Sequence, residues 1–303
     1  MVFISVGDVM AIEEFQRAKQ GSRRDLARVL SMIENGTASF LDQTNVDKNR
    51  CMSIAITGSP GVGKSVLCDQ LLTHWANAGF NIALLAVDPS SPRSGGALLG
   101  DRIRLKSVDD ASVNERIYVR SIATRTSSGS VPLIVRDMAE VLHDVGYERV
   151  LIETVGAGQA ELRCAAVADR IVLVEGPARG DGIQAEKAGL LELADAIVVN
   201  KADLDGAQKH FDEIQESISL EQDEHPKMFL VSALEGRGTE HLSEQLLHLP
   251  STERAKKSRI FQHLLAAHEQ RLTQHPQLND VLEQLLEGTL HIEDALSQLN
   301  VRN

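Results

Sequence analysis

Gly58-Ser-Pro-Gly-Val-Gly-Lys-Ser65 is a G-x-x-x-x-G-K-[ST] stretch that follows Met52-Ser-Ile-Ala-Ile-Thr57 and opens a run with helical spacing. Strand, glycine-rich turn and helix in that order make a phosphate cradle. The glycines let the backbone close around an anion, so that successive N–H groups and the positive end of the following helix face it. Lys64 is placed to reach the outer phosphates and Ser65 to ligate Mg²⁺, while Gly58, Pro60, Gly61, Val62, Gly63 and Val66 complete the nucleotide-facing loop. The expected ligand is a nucleoside triphosphate.

Outward from this loop, apolar runs at 54–57, 82–87, 117–122, 150–152, 171–174, 197–199 and 228–231 alternate with helix-length stretches. Continuous apolar strands separated by helices indicate a mostly parallel sheet covered on both faces, an α/β fold of the P-loop NTPase type. Ligands in such sheets bind at the carboxyl ends of the strands. The remaining informative residues sit at such ends.

Asn200-Lys-Ala-Asp203 follows the strand at 196–199 and comes well after the phosphate loop, the order a guanine-nucleotide site requires. Asp203 is suited to accept hydrogen bonds from N1 and the exocyclic amine of guanine, groups that adenine does not offer. Asn200 is read as holding the loop and Lys201 as lying along the base. A site of paired polar groups discriminates strongly because the wrong base leaves them unsatisfied. Ser232, Ala233 and Leu234, after the last strand, are expected to form the other guanine-facing loop, with the Ala233 N–H available to the base oxygen. Asp88 and Glu153 each close a strand near the phosphate loop, and Mg²⁺ prefers such oxygen ligands. Either carboxylate also suits the cap of a following helix, Asp88 most of all.

The chain has 303 residues and a formal net charge of -12, which repels nucleic acid and anionic membrane surfaces. Neither is an expected partner. Three scattered cysteines, Cys51, Cys68 and Cys164, argue against a disulfide framework and fit a reducing cytoplasm. The first twenty residues contain no long apolar run, and no signal peptide or membrane span is expected. Residues 1–50 read as a helical extension in which Ser22 caps a second helix, 51–250 as the nucleotide domain, and 251–303 as a C-terminal arm. That arm begins with a basic connector carrying Arg254, Lys256, Lys257 and Arg259, followed by two or three amphipathic helices. Those helices suit either packing on the sheet domain or dimerisation.

The phosphate loop, Val87-Asp-Pro-Ser-Ser-Pro92 running on through Gly95-Gly96 to Gly100-Asp-Arg102, Glu153-Thr-Val-Gly-Ala-Gly-Gln159-Ala-Glu161, and residues 200–203 together resemble the MeaB/ArgK family of P-loop GTPases. The resemblance covers most of the chain. It implies GTP and GDP as ligands and Mg²⁺ as cofactor; because none of Arg102, Arg104 and Arg125 is assigned as an arginine finger, slow hydrolysis that a partner accelerates is expected. The implied partner is an adenosylcobalamin-dependent acyl-CoA mutase, of which methylmalonyl-CoA mutase is the familiar client, with the GTPase gating cofactor loading or protection; the C-terminal helices, for their part, suggest a homodimer. By position, Lys64, Asp88, Asp101 and Glu153 would be the catalytic set, and Ser65, Asp88, Asp101 and Glu153 would order the metal and its waters. Residues 153–161 would sense the γ-phosphate, and 180–187, with Gln184 and Lys187, would form a further switch.

The chain departs from the family pattern at Val66, at 125–132 and at 176–182. The last two departures fall where a client or the γ-phosphate would be sensed. A nickel-inserting GTPase and a small-molecule kinase are the alternatives, but only Cys68 and His74 approach the phosphate loop as soft ligands, and nothing resembles an acceptor pocket.

Overall fold

The computed structural model describes residues 6–36, 51–89, 105–124, 133–154, 163–177, 185–219 and 225–299; the side chains of 6–9, 88–89, 123–124 and 185–188 are not included. Seven parallel strands form one sheet: β1 (Met52–Thr57), β2 (Ile82–Pro89), β3 (Ile117–Thr124), β4 (Arg149–Thr154), β5 (Arg170–Glu175), β6 (Ala196–Val199) and β7 (Lys227–Leu230). Their spatial order is β3-β2-β4-β1-β5-β6-β7, which puts β1 in the centre between β4 and β5. Central parallel strands are covered on both faces and so read as unbroken apolar runs. The carboxyl ends of β1, β4, β5 and β6 therefore gather at one edge of the sheet.

Helices α1 (Val6–Lys19), α2 (Arg23–Glu34) and α5 (Ile134–Asp144) pack on one face. In α2, Leu26, Val29, Leu30 and Ile33 are buried at i, i+3, i+4 and i+7 spacing, and Ser22 Oγ accepts the N–H of Asp25 as the N-cap. Arg120 on β3 donates to Glu34 Oε2 at 2.7 Å and to the Ala27 carbonyl at 3.1 Å, fastening α2 to the sheet edge. The other face is covered by α3 (Lys64–Asn77), the short α4 (Lys106–Asp109) and, later in the chain, the helix Thr239–Leu247. Trp75 Nε1 donates to the Ser243 carbonyl at 3.0 Å and joins two of these helices.

The rest of the chain forms α6 (Ala185–Leu193), α7 (Ala207–Ser219), α8 (Thr239–Leu247), α9 (Glu253–Thr273), α10 (Leu278–Leu286) and α11 (Ile292–Gln298). Residues 254–259, expected as a basic connector, are helical: Thr252 caps α9 by accepting the Ala255 N–H. Arg259 is buried and its guanidinium lies 2.7 Å from Asp195 Oδ2, an atom that also accepts the Ile171 N–H. A fully desolvated guanidinium needs such a carboxylate, and losing one partner of a buried pair costs about 3–5 kcal/mol. This pair holds α9 against the sheet. Ile260, Phe261, Leu264 and Leu265, on the other side of α9, are exposed. Among the described residues no helix is long and apolar enough to cross a membrane.

Candidate functional site

The phosphate loop leaves the central strand through Gly58 at φ 135° and continues with Gly61 at 79° and Gly63 at 97°, a backbone that side-chain-bearing residues rarely adopt. Gly63 occupies the N-cap of α3 without a side-chain cap, so the orphan N–H groups of the first turn are directed at the loop's concave side. A Cβ on Gly58 would lie 2.0 Å from the Val174 carbonyl oxygen, and one on Gly63 would lie 2.4 Å from Asn200 Nδ2. The loop is thus a cradle whose walls come within touching distance of β5 and of the loop after β6.

Lys64, 7% exposed, donates from Nζ to the Gly58 carbonyl at 2.5 Å and the Ser59 carbonyl at 3.1 Å. Ser65 Oγ donates to Glu153 Oε1 at 2.7 Å, joining the first turn of α3 to the end of β4. Behind them Thr154 Oγ1 lies 3.2 Å from Thr57 Oγ1, both buried. Two adjacent hard oxygen donors beside an N–H-lined anion cradle are the donor chemistry Mg²⁺ takes, usually together with phosphate oxygens and water. Of the other proposed ligands, Asp88 lies on β2 in register with Ala123, with its side chain outside the described set, and Asp101 lies outside the described residues. Residues 155–161, 180–184 and the Lys187 side chain, expected to form the switches, also lie outside them.

The loop after β6 meets the phosphate loop directly. Asn200 Nδ2 donates to the Val62 carbonyl at 2.9 Å, and Lys201 Nζ donates to the Gly61 carbonyl at 2.6 Å. Lys201 is the only non-glycine residue with positive φ, 63°, among the described residues. Asp203 is exposed, and its Oδ1 accepts from Ser232 Oγ at 2.5 Å. That hydroxyl, with a smaller contribution from Arg237 and Lys201 nearby, holds the Asp203 carboxyl below its ordinary value, so it is an acceptor at neutral pH.

One expectation is corrected. The Ala233 N–H, read as available to a base oxygen, donates to Asn200 Oδ1 at 2.9 Å. Asn200 has both a donor and an acceptor to satisfy in a buried position, and the loops on either side supply them. Leu234 next to it is exposed, as are Pro60, Gly61 and Val66.

Two contacts were not foreseen. Glu175, the last residue of β5, accepts the Asn200 N–H on its carbonyl at 2.8 Å, while its own side chain is buried. Gly176 follows it and faces Val62 of the phosphate loop. A carboxylate closing an otherwise apolar strand was the available signal.

A glycine-lined anion cradle at the end of a central parallel strand, tied to a second polar loop two strands away, defines a P-loop nucleotide-binding protein. Within that class, the chain belongs to the family described as methylmalonyl Co-A mutase-associated GTPase MeaB, whose model matches residues 26–289. It is 30% identical over 251 residues to GTPase ArgK of Escherichia coli, covering 78% of this chain and 75% of that protein. It is 33% identical over 209 residues to the fused isobutyryl-CoA mutase of Geobacillus kaustophilus, covering 65% of this chain and 19% of that protein. The chain spans about two thirds to three quarters of the length of curated relatives such as those of Pyrococcus. Among solved structures, an LAO/AO transport system kinase superposes with a TM-score of 0.66 over 99% of this chain and 98% of the other at 22% identity, a likeness of fold.

Proposed function

We propose that the chain binds GTP with Mg²⁺, hydrolyses it to GDP and phosphate, and uses that cycle to gate cofactor loading or protection of an adenosylcobalamin-dependent acyl-CoA mutase. The observation that carries the nucleotide reading is the pair of bonds from Asn200 and Lys201 to the carbonyls of Val62 and Gly61, which make a phosphate cradle and a base-selecting loop into one surface. Support for the client comes from the family's description and from the fused mutase, one fifth of which resembles this chain.

In this reading the Lys64 ammonium exchanges the Gly58 and Ser59 carbonyls for the β- and γ-phosphate oxygens, and the N–H groups of the loop and of the first turn of α3 take the remaining oxygens. Ser65 and Glu153 hold Mg²⁺, with Asp88 and Asp101 ordering its waters. The bound metal supplies charge neutralisation at the phosphoryl oxygens. Asp203, kept ionised by Ser232, accepts the two guanine N–H groups, and Ser232, Ala233 and Leu234 close the far side of the base. Water attacks in line within a preorganised field, and the chain's contribution is positioning and charge.

Asp203→Asn replaces an acceptor by an amide that offers one acceptor and one donor group, so guanine loses its complement and xanthine, with a carbonyl at the amine position, gains one. Two charge-assisted bonds are worth about 3 kcal/mol, or on the order of 100-fold in affinity. Competition between GTP and XTP on the purified variant measures this, and an unchanged preference for GTP removes Asp203 from the role.

The exposed face of α9 formed by Ile260, Phe261, Leu264 and Leu265 supports our proposal that residues 251–303 form a dimerisation arm beside the extension at 1–50 and the nucleotide domain at 51–250. Sedimentation tests both associations. The chain alone is expected at twice 33.0 kDa, and a larger complex is expected with a cobalamin-dependent acyl-CoA mutase in the presence of a non-hydrolysable GTP analogue. A single-chain mass rejects the arm as a dimer element, and absence of the larger species rejects the client.

A further inference from the structure

At the amino ends of β1 and β5, a cleft of about 160 Å³ opens between those strands and α5. In an open parallel sheet the nucleotide lies at the carboxyl ends, so this cleft is no part of that site. Its polar lining comes from Arg136, Glu140 and His143 on α5 and from Ser53, Asp169 and Arg170 on the strand side. Positions 136, 140 and 143 recur at i, i+4 and i+7 and share one face of the helix. Asp169 Oδ2 accepts the Ser53 N–H at 2.9 Å and the Ser53 hydroxyl at 2.7 Å, which fixes the two strand starts against each other. Arg170 donates from Nε to the Leu249 carbonyl and from Nη1 to the Asp169 carbonyl, both at 2.8 Å. Arg136 reaches Glu140 Oε1 from Nε at 3.5 Å and His263 Nδ1 from Nη1 at 3.3 Å. The second Nη of each guanidinium makes no hydrogen bond with the described residues.

His143 is 8% exposed, and its Nδ1 lies 2.7 Å from the Tyr147 carbonyl. A carbonyl only accepts, so Nδ1 carries the ring proton. Burial holds the pKa of the ring below its ordinary value, and the neutral ring is left with a lone pair at Nε2. That atom is buried and has no hydrogen-bond partner among the described residues. A buried acceptor without a donor is a cost that a bound N–H group removes. Glu140 and Arg136, half-buried on the same face one and two turns earlier, are the side chains that must give way for a ligand to reach it.

We propose that this cleft binds a free amino acid, its carboxylate held by Arg136 and Arg170 and its ammonium by Glu140, Asp169 and Nε2 of His143. Two guanidinium and two carboxylate groups leave the walls without net charge. A simple anion drawn to the arginines meets Glu140 and Asp169, and a simple cation meets the arginines; a zwitterion satisfies both pairs. Size points the same way, since sites for drug-sized ligands and cofactors run to roughly 300–1,000 Å³. The site is one of binding, and it stands whether or not the chain takes GTP.

The test begins with the melting temperature of the full chain against each of the twenty common amino acids at about 10 mM, followed by calorimetric titration of the one with the largest shift. At least one is expected to raise the melting temperature by about 2 °C or more and to bind with a dissociation constant of about 1 mM or tighter. Acetate and methylammonium at the same concentration are expected to give no such shift. Arg136→Gln, Arg170→Gln and His143→Phe are each expected to weaken binding about tenfold or more, while GTP affinity stays at the wild-type value. Thermal melts confirm folding, and if His143→Phe does not fold, the two arginine variants decide. No shift with any amino acid overturns the proposal. Binding that all the folded variants retain at wild-type strength places the ligand elsewhere and also overturns it, and acetate binding as tightly as the amino acid rejects the zwitterion.

Discussion

Lys64→Ala is expected to lower the rate of GTP hydrolysis by at least about a thousandfold while leaving a cooperative thermal transition within several degrees of the wild type. The ammonium is buried at the mouth of the cradle, 2.5 Å and 3.1 Å from two loop carbonyls, and no other described lysine or arginine donates to those carbonyls. Removing a single preorganised neutral donor from a developing oxyanion costs about 2.7–4 kcal/mol, or roughly 100- to 1,000-fold in rate. Loss of a full positive charge facing the triphosphate costs more than that. The effect on the fold is smaller. Two charge-assisted bonds to carbonyls disappear, each worth about 1.5–3 kcal/mol, but the cost of burying the ammonium goes with them. Single-turnover hydrolysis together with differential scanning calorimetry separates the two effects. A variant hydrolysing within tenfold of the wild type would remove Lys64 from the chemistry.

How much of this was readable beforehand follows from the separation between partners. Each of the seven strands announced itself because a strand buried on both faces is a local apolar run. Their ends did not, since Arg149, Thr154, Arg170 and Glu175 belong to strands by ladder pairing while their side chains are polar. The phosphate loop and residues 200–203 are contiguous signatures, and so the chemistry of each could be read from sequence alone. Their attachment could not: Asn200 and Val62 are 138 positions apart, and nothing local says which carbonyl an asparagine will find. The same holds for Arg259, which in sequence is one of several basic residues and in the fold is the buried partner of Asp195, 64 positions away. The Ala233 N–H was assigned to the base because its segment matched a guanine-facing loop, whereas Asn200 competes for it at 2.9 Å. Glu175 carries no motif at all.

Gly58→Ala is expected to be the most damaging glycine-to-alanine change among the described residues, and the glycines of the loop form a graded series that tests why. At Gly61 a Cβ meets nothing within 4 Å, so alanine there costs only the strain of φ 79°, of order 1–2 kcal/mol, and should lower the melting temperature by a few degrees with nucleotide binding retained. At Gly63 the added methyl sits 2.4 Å from Asn200 Nδ2, the far end of a buried side chain, so Asn200 must rotate to make way. Rotation breaks its bond to Val62, so the protein should fold but bind GTP more weakly, with less preference over ATP. Gly58 offers neither escape. Its φ of 135° is strained for alanine, and the methyl would lie 2.0 Å from the carbonyl oxygen of Val174, which belongs to a central strand paired on both sides. Moving that carbonyl means distorting the β1–β5 and β5–β6 ladders together; leaving it in place means that the phosphate loop cannot start where β1 delivers it. Losses above about 4–5 kcal/mol come from clashes of this kind, and they consume much of a typical domain's stability. Chemical denaturation and GTP titration of the three alanine variants should therefore rank Gly61 mildest, Gly63 selective for binding, and Gly58 severe for both. If Gly58→Ala melts and binds like the wild type, the close approach of the loop to β5 does not exist in solution, and the cradle must be built another way.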